Sequence, residues 1–275
     1  MPIKSWIRTW EGKQIYGDNG ETATLSFVAT YRMGKEIGGP ITIHVDLKGT
    51  EISPGPMTKS ERAEQGWFQD KIIAKMNIER HPEFLRSDDS PGTTQLGLNT
   101  TSAVSVNYGA AASGGFFGPM PMGTLSITGG VSNTNSSSVQ LPDFAVSNDS
   151  DSRTILHSYY MTNHAKGKYD HPTDLWINNV DLTEFLKGPE VGIPPKLASH
   201  NLPIISQAIW QATHSRASNE TLLLDVTITQ NLTWVRDTRP FLEDQIRYWG
   251  CTNTFTITEK IPLHELNQTK PVEVL

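Results

Sequence analysis

Apolar and polar residues alternate along most of the patterned stretches of this chain, and a period of two predicts strands. Thr22–Tyr31 is rich in β-branched and aromatic residues and follows a Gly/Asp/Asn turn at Gly17–Gly20. In Ile41–Leu47 the alternation is strict, placing Ile41, Ile43, Val45 and Leu47 on one face. Lys71–Ile78 fits helix or strand taken alone, and its neighbours favour strand. A Pro/Gly-rich loop, Ser53–Gly66, precedes it, and Asn148–Ser152 reads as another loop. Further strands are predicted over Ser206–Thr213, over Thr221–Trp234, where Leu222, Leu224, Val226 and Ile228 share a face, and over Thr252–Ile261. No internal repeat is evident.

The middle of the chain has a distinct character. Residues 90–142, between Asp89 and Asp143, contain no Asp, Glu, Lys or Arg. Two alternating runs sit inside that window. In the first, Val104, Val106, Tyr108 and Ala110 point one way while Ser105, Asn107 and Gly109 point the other. In the second, Leu125, Ile127, Gly129 and Val131 oppose Thr124, Ser126, Thr128 and Gly130. Ala111–Gly123 between them reads as an apolar turn with Phe116, Phe117, Met120 and Met122 at its tip. Downstream, residues 158–204 are aromatic, Pro-rich and poor in alternation, with one short helical turn predicted at Asp181–Leu186 and Asp181 as its N-cap.

Composition narrows the class. Only 19% of residues are charged while 36% are hydrophobic, and Gly, Ser, Thr and Asn are conspicuous, which suits an all-β protein with many turns. At 275 residues the chain can bury one large β domain or two smaller ones. A formal net charge of −6 argues against nucleic acid as a partner. It also argues against attraction to anionic lipid, so membrane contact would rest on neutral head groups or specific recognition. The single cysteine, Cys251, excludes an intramolecular disulfide framework and a multi-cysteine metal site. No stretch approaches the ~20 apolar residues of a spanning helix. Met1–Lys4 lacks the apolar core of a secretory signal, so a secreted product is expected either with its signal absent from this chain or by another exit route.

Catalytic chemistry finds no footing. There is no Gly-x-Ser-x-Gly elbow, P-loop, His-Glu-x-x-His or helix-opening Gly-x-Gly-x-x-Gly. The expectation is a non-enzyme without cofactor or metal. His157, His164 and His171 recur every seven residues, with His200 and His214 following, yet no cysteine or paired carboxylate accompanies them. They read as loop and surface histidines. Asp149/Asp151 and Glu243/Asp244 read as solvated loop acids, and Tyr159, Tyr160 and Trp210 as structural. The sequons at Asn99, Asn135, Asn148, Asn219, Asn231 and Asn267 are common by chance in such a chain.

A transmembrane β-strand needs ~9–11 residues with apolar side chains on alternate positions. Both runs flanking the Phe116–Phe117 tip satisfy this. Val104, Val106, Tyr108, Ala110, Leu125, Ile127 and Val131 would face lipid, and Ser105, Asn107, Ser126 and Thr128 the water-filled lumen. One hairpin cannot span a bilayer, because its edges leave backbone groups unpaired, so copies from several subunits would have to close a barrel. A charge-free linker or an ordinary hairpin fits the composition equally well. The two-sided alternation and the apolar tip favour insertion, since an exposed Phe116, Phe117, Met120 and Met122 would otherwise be a liability.

The order of short motifs resembles the leukocidin/α-hemolysin family of small β-barrel pore-forming toxins. Lys48-Gly49-Thr50, then Gly66-Trp67-Phe68 and Lys71–Ile78, look like its strand, loop, tryptophan and strand before the stem. Gln140-Leu141-Pro142-Asp143-Phe144 is similar to the exit of the stem. Leu197–Pro203, Ala217-Ser218 and Leu224-Asp225-Val226 look like the C-terminal strands of the cap. The likeness covers about residues 40–260. It implies a β-sandwich cap contributed by 1–96 and 205–275, a prestem hairpin at 97–137, a return segment at 138–157 and a membrane-facing rim at 158–204. It also implies a soluble monomer that binds a lipid or glycan receptor, assembles into a ring of about seven or eight subunits and inserts one hairpin per subunit. Where the family's rim carries Trp-Gly-Pro-Tyr, this chain has Lys166-Gly167-Lys168-Tyr169 and then Trp176, so Tyr169 and Trp176 are the candidate lipid contacts. A non-lytic, lectin-like β-sandwich and an all-β structural protein are the competing classes.

Overall fold

The computed structural model describes residues 3–17, 20–35, 40–55, 58–59, 64–78, 81–93, 100–108, 131–139, 144–161, 176–177, 190–191, 200–212, 221–238 and 245–264. Among them the chain forms seventeen strands and no α-helix. β1 (Ile3–Tyr16) and β2 (Glu21–Lys35) make a long hairpin whose turn relies on Gly17 and Gly20 at φ 68° and 75°, a region costly for any residue with a Cβ. The pair runs without a slip from Ile3↔Gly34 to Tyr16↔Glu21.

The other edge of β2 is shared by β3 (Ile41–Asp46) and β4 (Thr50–Ser53), which leave a gap in the ladder between them. Val28 faces that gap. The Thr50 hydroxyl fills it, accepting from the Val28 N–H at 3.0 Å and donating to the Val28 carbonyl at 2.8 Å. A side chain thus satisfies two backbone groups that the neighbouring strand abandons. This gives the Lys48-Gly49-Thr50 motif a physical role, with Gly49 at φ 96° making the turn. β7 (Phe84–Ser90), β14 (Leu202–Ile204) and β15 (Gln207–Ala212) complete a seven-stranded sheet in the order β14-β4-β2-β3-β15-β7, with β1 flanking β2.

A second antiparallel sheet has the order β10 (Phe144–Asn148), β11 (Thr154–Met161), β6 (Glu64–Asn77), β16 (Thr221–Thr238), β17 (Gln245–Pro262), with β5 (Thr58–Lys59) on the start of β6. The segment that was ambiguous by pattern is therefore strand. Its Ile72, Ala74 and Met76 join the core while Ile73 and Lys75 are half-buried on the other face. The two sheets close on one core. Ile41, Ile43 and Val45 enter it from the first sheet, and Leu222, Leu224, Val226 and Ile228 from the second, as alternation predicts. Tyr159 and Trp210 are fully buried there, in the structural roles expected of them.

β1 lies against the edge strand of the second sheet through its even-numbered residues. Trp6 stacks on Tyr31 with ring centroids 5.5 Å apart and donates to Glu259 at 3.1 Å. The Trp10 indole folds over Gly12 and meets Phe255 edge to face. A Cβ at Gly12 would stand 2.3 Å from the Trp10 ring. Gly12→Val is expected to expel Trp10, lowering stability by about 1–3 kcal/mol through overpacking. Thermal unfolding followed by tryptophan emission checks this, and an unchanged midpoint and spectrum would contradict it.

Candidate membrane-inserting hairpin and its root

Two strands lie within the charge-free window. β8 (Thr100–Tyr108) and β9 (Val131–Val139) form their own two-stranded sheet, from Thr100↔Val139 to Tyr108↔Val131. Cross-strand partners stand on one face of a hairpin. Val104, Val106 and Tyr108 therefore share a face with Asn135, Asn133 and Val131, and Ser105 and Asn107 share the other with Thr134 and Ser132. Even-numbered positions of β8 always meet odd-numbered positions of β9. A one-residue slip would set Val131 opposite in facing to Tyr108.

Other candidates fall elsewhere. Ala110, Leu125, Ser126, Ile127, Thr128, Phe116, Phe117, Met120, Met122 and Tyr169 lie outside the described residues. Trp176 opens β12 (Trp176–Ile177), opposite Val191 of β13 (Glu190–Val191). The second strand of the hairpin runs on from Val131 through a polar stretch, Ser132–Ser138, that apolar alternation could not reveal.

Sequence reasoning missed the polar cluster at the root of the hairpin. Asp89, at the end of β7, directly precedes the charge-free window, and Asn148, at the end of β10, follows it. The Asp89 Oδ2 accepts from Asn148 Nδ2 at 2.9 Å, Ser150 Oγ at 2.7 Å and His157 Nε2 at 3.2 Å, while its Oδ1 takes Arg86 Nη1 at 2.9 Å. Asn148 also donates to the Pro91 carbonyl at 3.1 Å, and its backbone N–H donates to Thr93 Oγ1 at 3.1 Å. Both limbs of the window are thus tied to one carboxylate. On the far side of the imidazole, His157 Nδ1 lies 2.7 Å from Ser206 Oγ.

The electrostatics follow from these partners. Burial pushes the Asp89 carboxyl up, but the hydrogen bonds from His157, Ser150 and Asn148 outweigh it and hold the pKa at about 2. An ionised carboxylate only accepts, so His157 Nε2 carries the proton facing Asp89, and in the neutral ring Nδ1 accepts from the Ser206 hydroxyl. Ser206, His157 and Asp89 follow one another like a hydrolase triad. Ser206 and His157 are fully buried, however, so no substrate can reach the hydroxyl. The arrangement can brace; it cannot turn over a substrate.

His157 is accordingly not a surface histidine as its sequence context implied. Its place in β11 points it to the same side as Ile155 and Tyr159, into the sandwich. Asp149 and Asp151 are exposed as expected, and Asp151 Oδ1 caps the turn by accepting from the N–H groups of Arg153 and Thr154 at 2.8 Å each. The sequon at Asn148 has its amide engaged by Asp89 and Pro91, so a glycan there would dismantle the cluster. No group of metal-binding side chains occurs among the described residues. No helix among them is long and apolar enough to cross a membrane.

Two solved structures share this architecture. Clostridium perfringens delta-toxin superposes with a TM-score of 0.59 over 96% of this chain and 91% of that one, at 11% identity. A structure described as a pore forming protein gives 0.54 over 92% of this chain and 97% of that one, at 12% identity. No family model matches the sequence. No curated protein matches it either. At such identities the likeness is one of fold: the chain shares the all-β fold of the delta-toxin and of the pore forming protein.

Proposed function

We propose that this chain is a secreted pore-forming toxin that binds a target membrane as a soluble monomer, assembles into a ring and inserts one β-hairpin per subunit. One observation carries the reading. The charge-free window contains two paired strands, β8 and β9, whose register has the parity needed to bring both apolar runs onto one face. If that register continued toward the tip, it would set Ala110, Leu125 and Ile127 on the face of Tyr108 and Val131, and Ser126 and Thr128 on the face of Ser105 and Asn107. The shared fold with a toxin and a pore-forming protein supports the same conclusion.

Self-association has a physical candidate in β1. Among the described residues its outer edge pairs with no strand, and Ile7 and Ile15, on the face turned away from β17, are 66% and 77% exposed. Long, exposed, apolar edges invite strand addition or packing by another chain. Tyr169 and Trp176 are the proposed receptor contacts, placed at head-group depth on a lipid or glycan surface. Uncharged vesicles loaded with dye, followed by mild-detergent extraction and gel electrophoresis, test the proposal. Leakage together with an SDS-resistant high-mass band is expected. Binding to susceptible membranes with neither leakage nor oligomer would instead make the chain a non-lytic binding module.

A further inference from the structure

The outer face of the seven-stranded sheet is polar, yet it is covered. Arg32 of β2, Thr42, His44 and Asp46 of β3, and Gln207, Ile209 and Gln211 of β15 lie on the face opposite the core residues Tyr31, Met33, Ile43, Val45, Ala208 and Trp210. His44 and Gln207 are fully buried, and Ile209 is buried without belonging to the core. β8 packs against both β15 and β7 while pairing with neither. On this covered face, both ring nitrogens of His44, both amide atoms of Gln207 and Arg32 Nη1 are buried with no hydrogen-bond partner. Each such orphan opposes the covered state, because water would satisfy it once the cover lifts.

We propose that His44 is an acid-sensitive latch, whose protonation drives the β8–β9 hairpin off the outer face of the seven-stranded sheet. The inference rests on the pore-forming reading only for its purpose, since release itself can be measured without a membrane. Burial lowers the proton affinity of His44 to a pKa of about 4, with Asp46 pulling it up and Arg32 pushing it further down. The remaining charged neighbour among the described residues of the surrounding strands is Asp88 of β7, opposite Ile209 and exposed to solvent; Gln207, Ile209 and Gln211 of β15 are uncharged, and β8 carries no charge. The sign is fixed by these values. A depressed histidine pKa stabilises the covered state above the ordinary value of 6.5, and that stabilisation is lost as pH falls toward 4. Between pH 7.5 and pH 5 the released fraction should rise about thirty-fold, taking 6.5 for the uncovered imidazole.

Hydrogen exchange of residues 100–108 and 131–139 in membrane-free solution, corrected for the intrinsic pH dependence of exchange, reads this equilibrium. A freed two-stranded hairpin is marginal in water and loses protection. The wild type should lose about thirty-fold in protection from pH 7.5 to pH 5, and His44→Phe and His44→Gln should both be flat. Two variants of opposite polarity guard against one of them failing to fold. An unchanged wild type, or an acid response that persists in a folded variant, overturns the latch. Acid-dependent release without any vesicle leakage would leave the latch standing and remove the pore; leakage with pH-independent protection would do the reverse.

Discussion

Arginine at Ile127 is expected to abolish vesicle leakage, while arginine at Thr128 leaves most of it intact. The register of β8 and β9 places these two positions on opposite faces if it continues toward the tip. On the apolar face an arginine at mid-bilayer costs roughly 2–4 kcal/mol, and every subunit of the proposed ring would repeat that cost. On the lumen face the same side chain stays hydrated. Depth gives a second, finer expectation. Val104 and Val106 stand opposite Asn135 and Asn133, whereas Tyr108 stands opposite Val131. The consistently apolar rows therefore start at Tyr108, and Val104 belongs near the membrane surface, where an arginine costs only about 0–1 kcal/mol. Leakage should fall in the order Thr128→Arg, Val104→Arg, Ile127→Arg, from mildest to most severe. Equal losses at Ile127 and Thr128, with SDS-resistant oligomer still formed, would remove the two-faced reading of the hairpin.

The largest stability effect is expected at Asp89. Asp89→Ala strips acceptors from Arg86, Asn148, Ser150 and His157 together, at a side chain only 9% exposed. Removing one partner from a buried ionic cluster costs about 3–5 kcal/mol, which in a chain of this size lowers the thermal midpoint by about ten degrees. Ser206→Ala removes a single hydrogen bond from the same cluster and should cost about 1 kcal/mol. The acid limb gives an independent check. The Asp89 carboxyl is held at about 2, below the ~3.9 of an unfolded chain, so its stabilisation is complete above about pH 4 and is lost as pH falls toward 2. Asp89→Asn should flatten that limb. Denaturant titrations across this range measure it, and an unaltered profile would show that the cluster contributes nothing to folding.

The strands that carry the core were legible because one face of each must be apolar. Leu222 to Ile228 and Ile41 to Val45 announce themselves by alternation, and the sandwich confirms both. β9 was illegible for the opposite reason: Ser132–Ser138 has no apolar face, and only its partner in β8 makes it a strand. β1 hides differently, since its inward positions mix Trp6 and Trp10 with Arg8, Gly12 and Gln14, whose roles come from β17 beneath them. The root cluster left no local trace at all. Asp89 and His157 are 68 residues apart and His157 and Ser206 are 49 apart, so only the closing of two sheets brings them together. His157 read as a loop or surface histidine beside His164 and His171, whereas it is buried and its partners are a carboxylate and a hydroxyl from elsewhere in the chain.

The clamp between Asn148, Pro91 and Thr93 has a mechanical consequence. It pins the two ends of the charge-free window side by side before any membrane is met, so the entropy of closing that long loop is already spent within the folded cap. In the proposed insertion the segment between those pins would exchange its contacts with β7 and β15 for new neighbours while the pins hold. The cap would then serve as a handle, and the change of shape would fall on the segment between those pins.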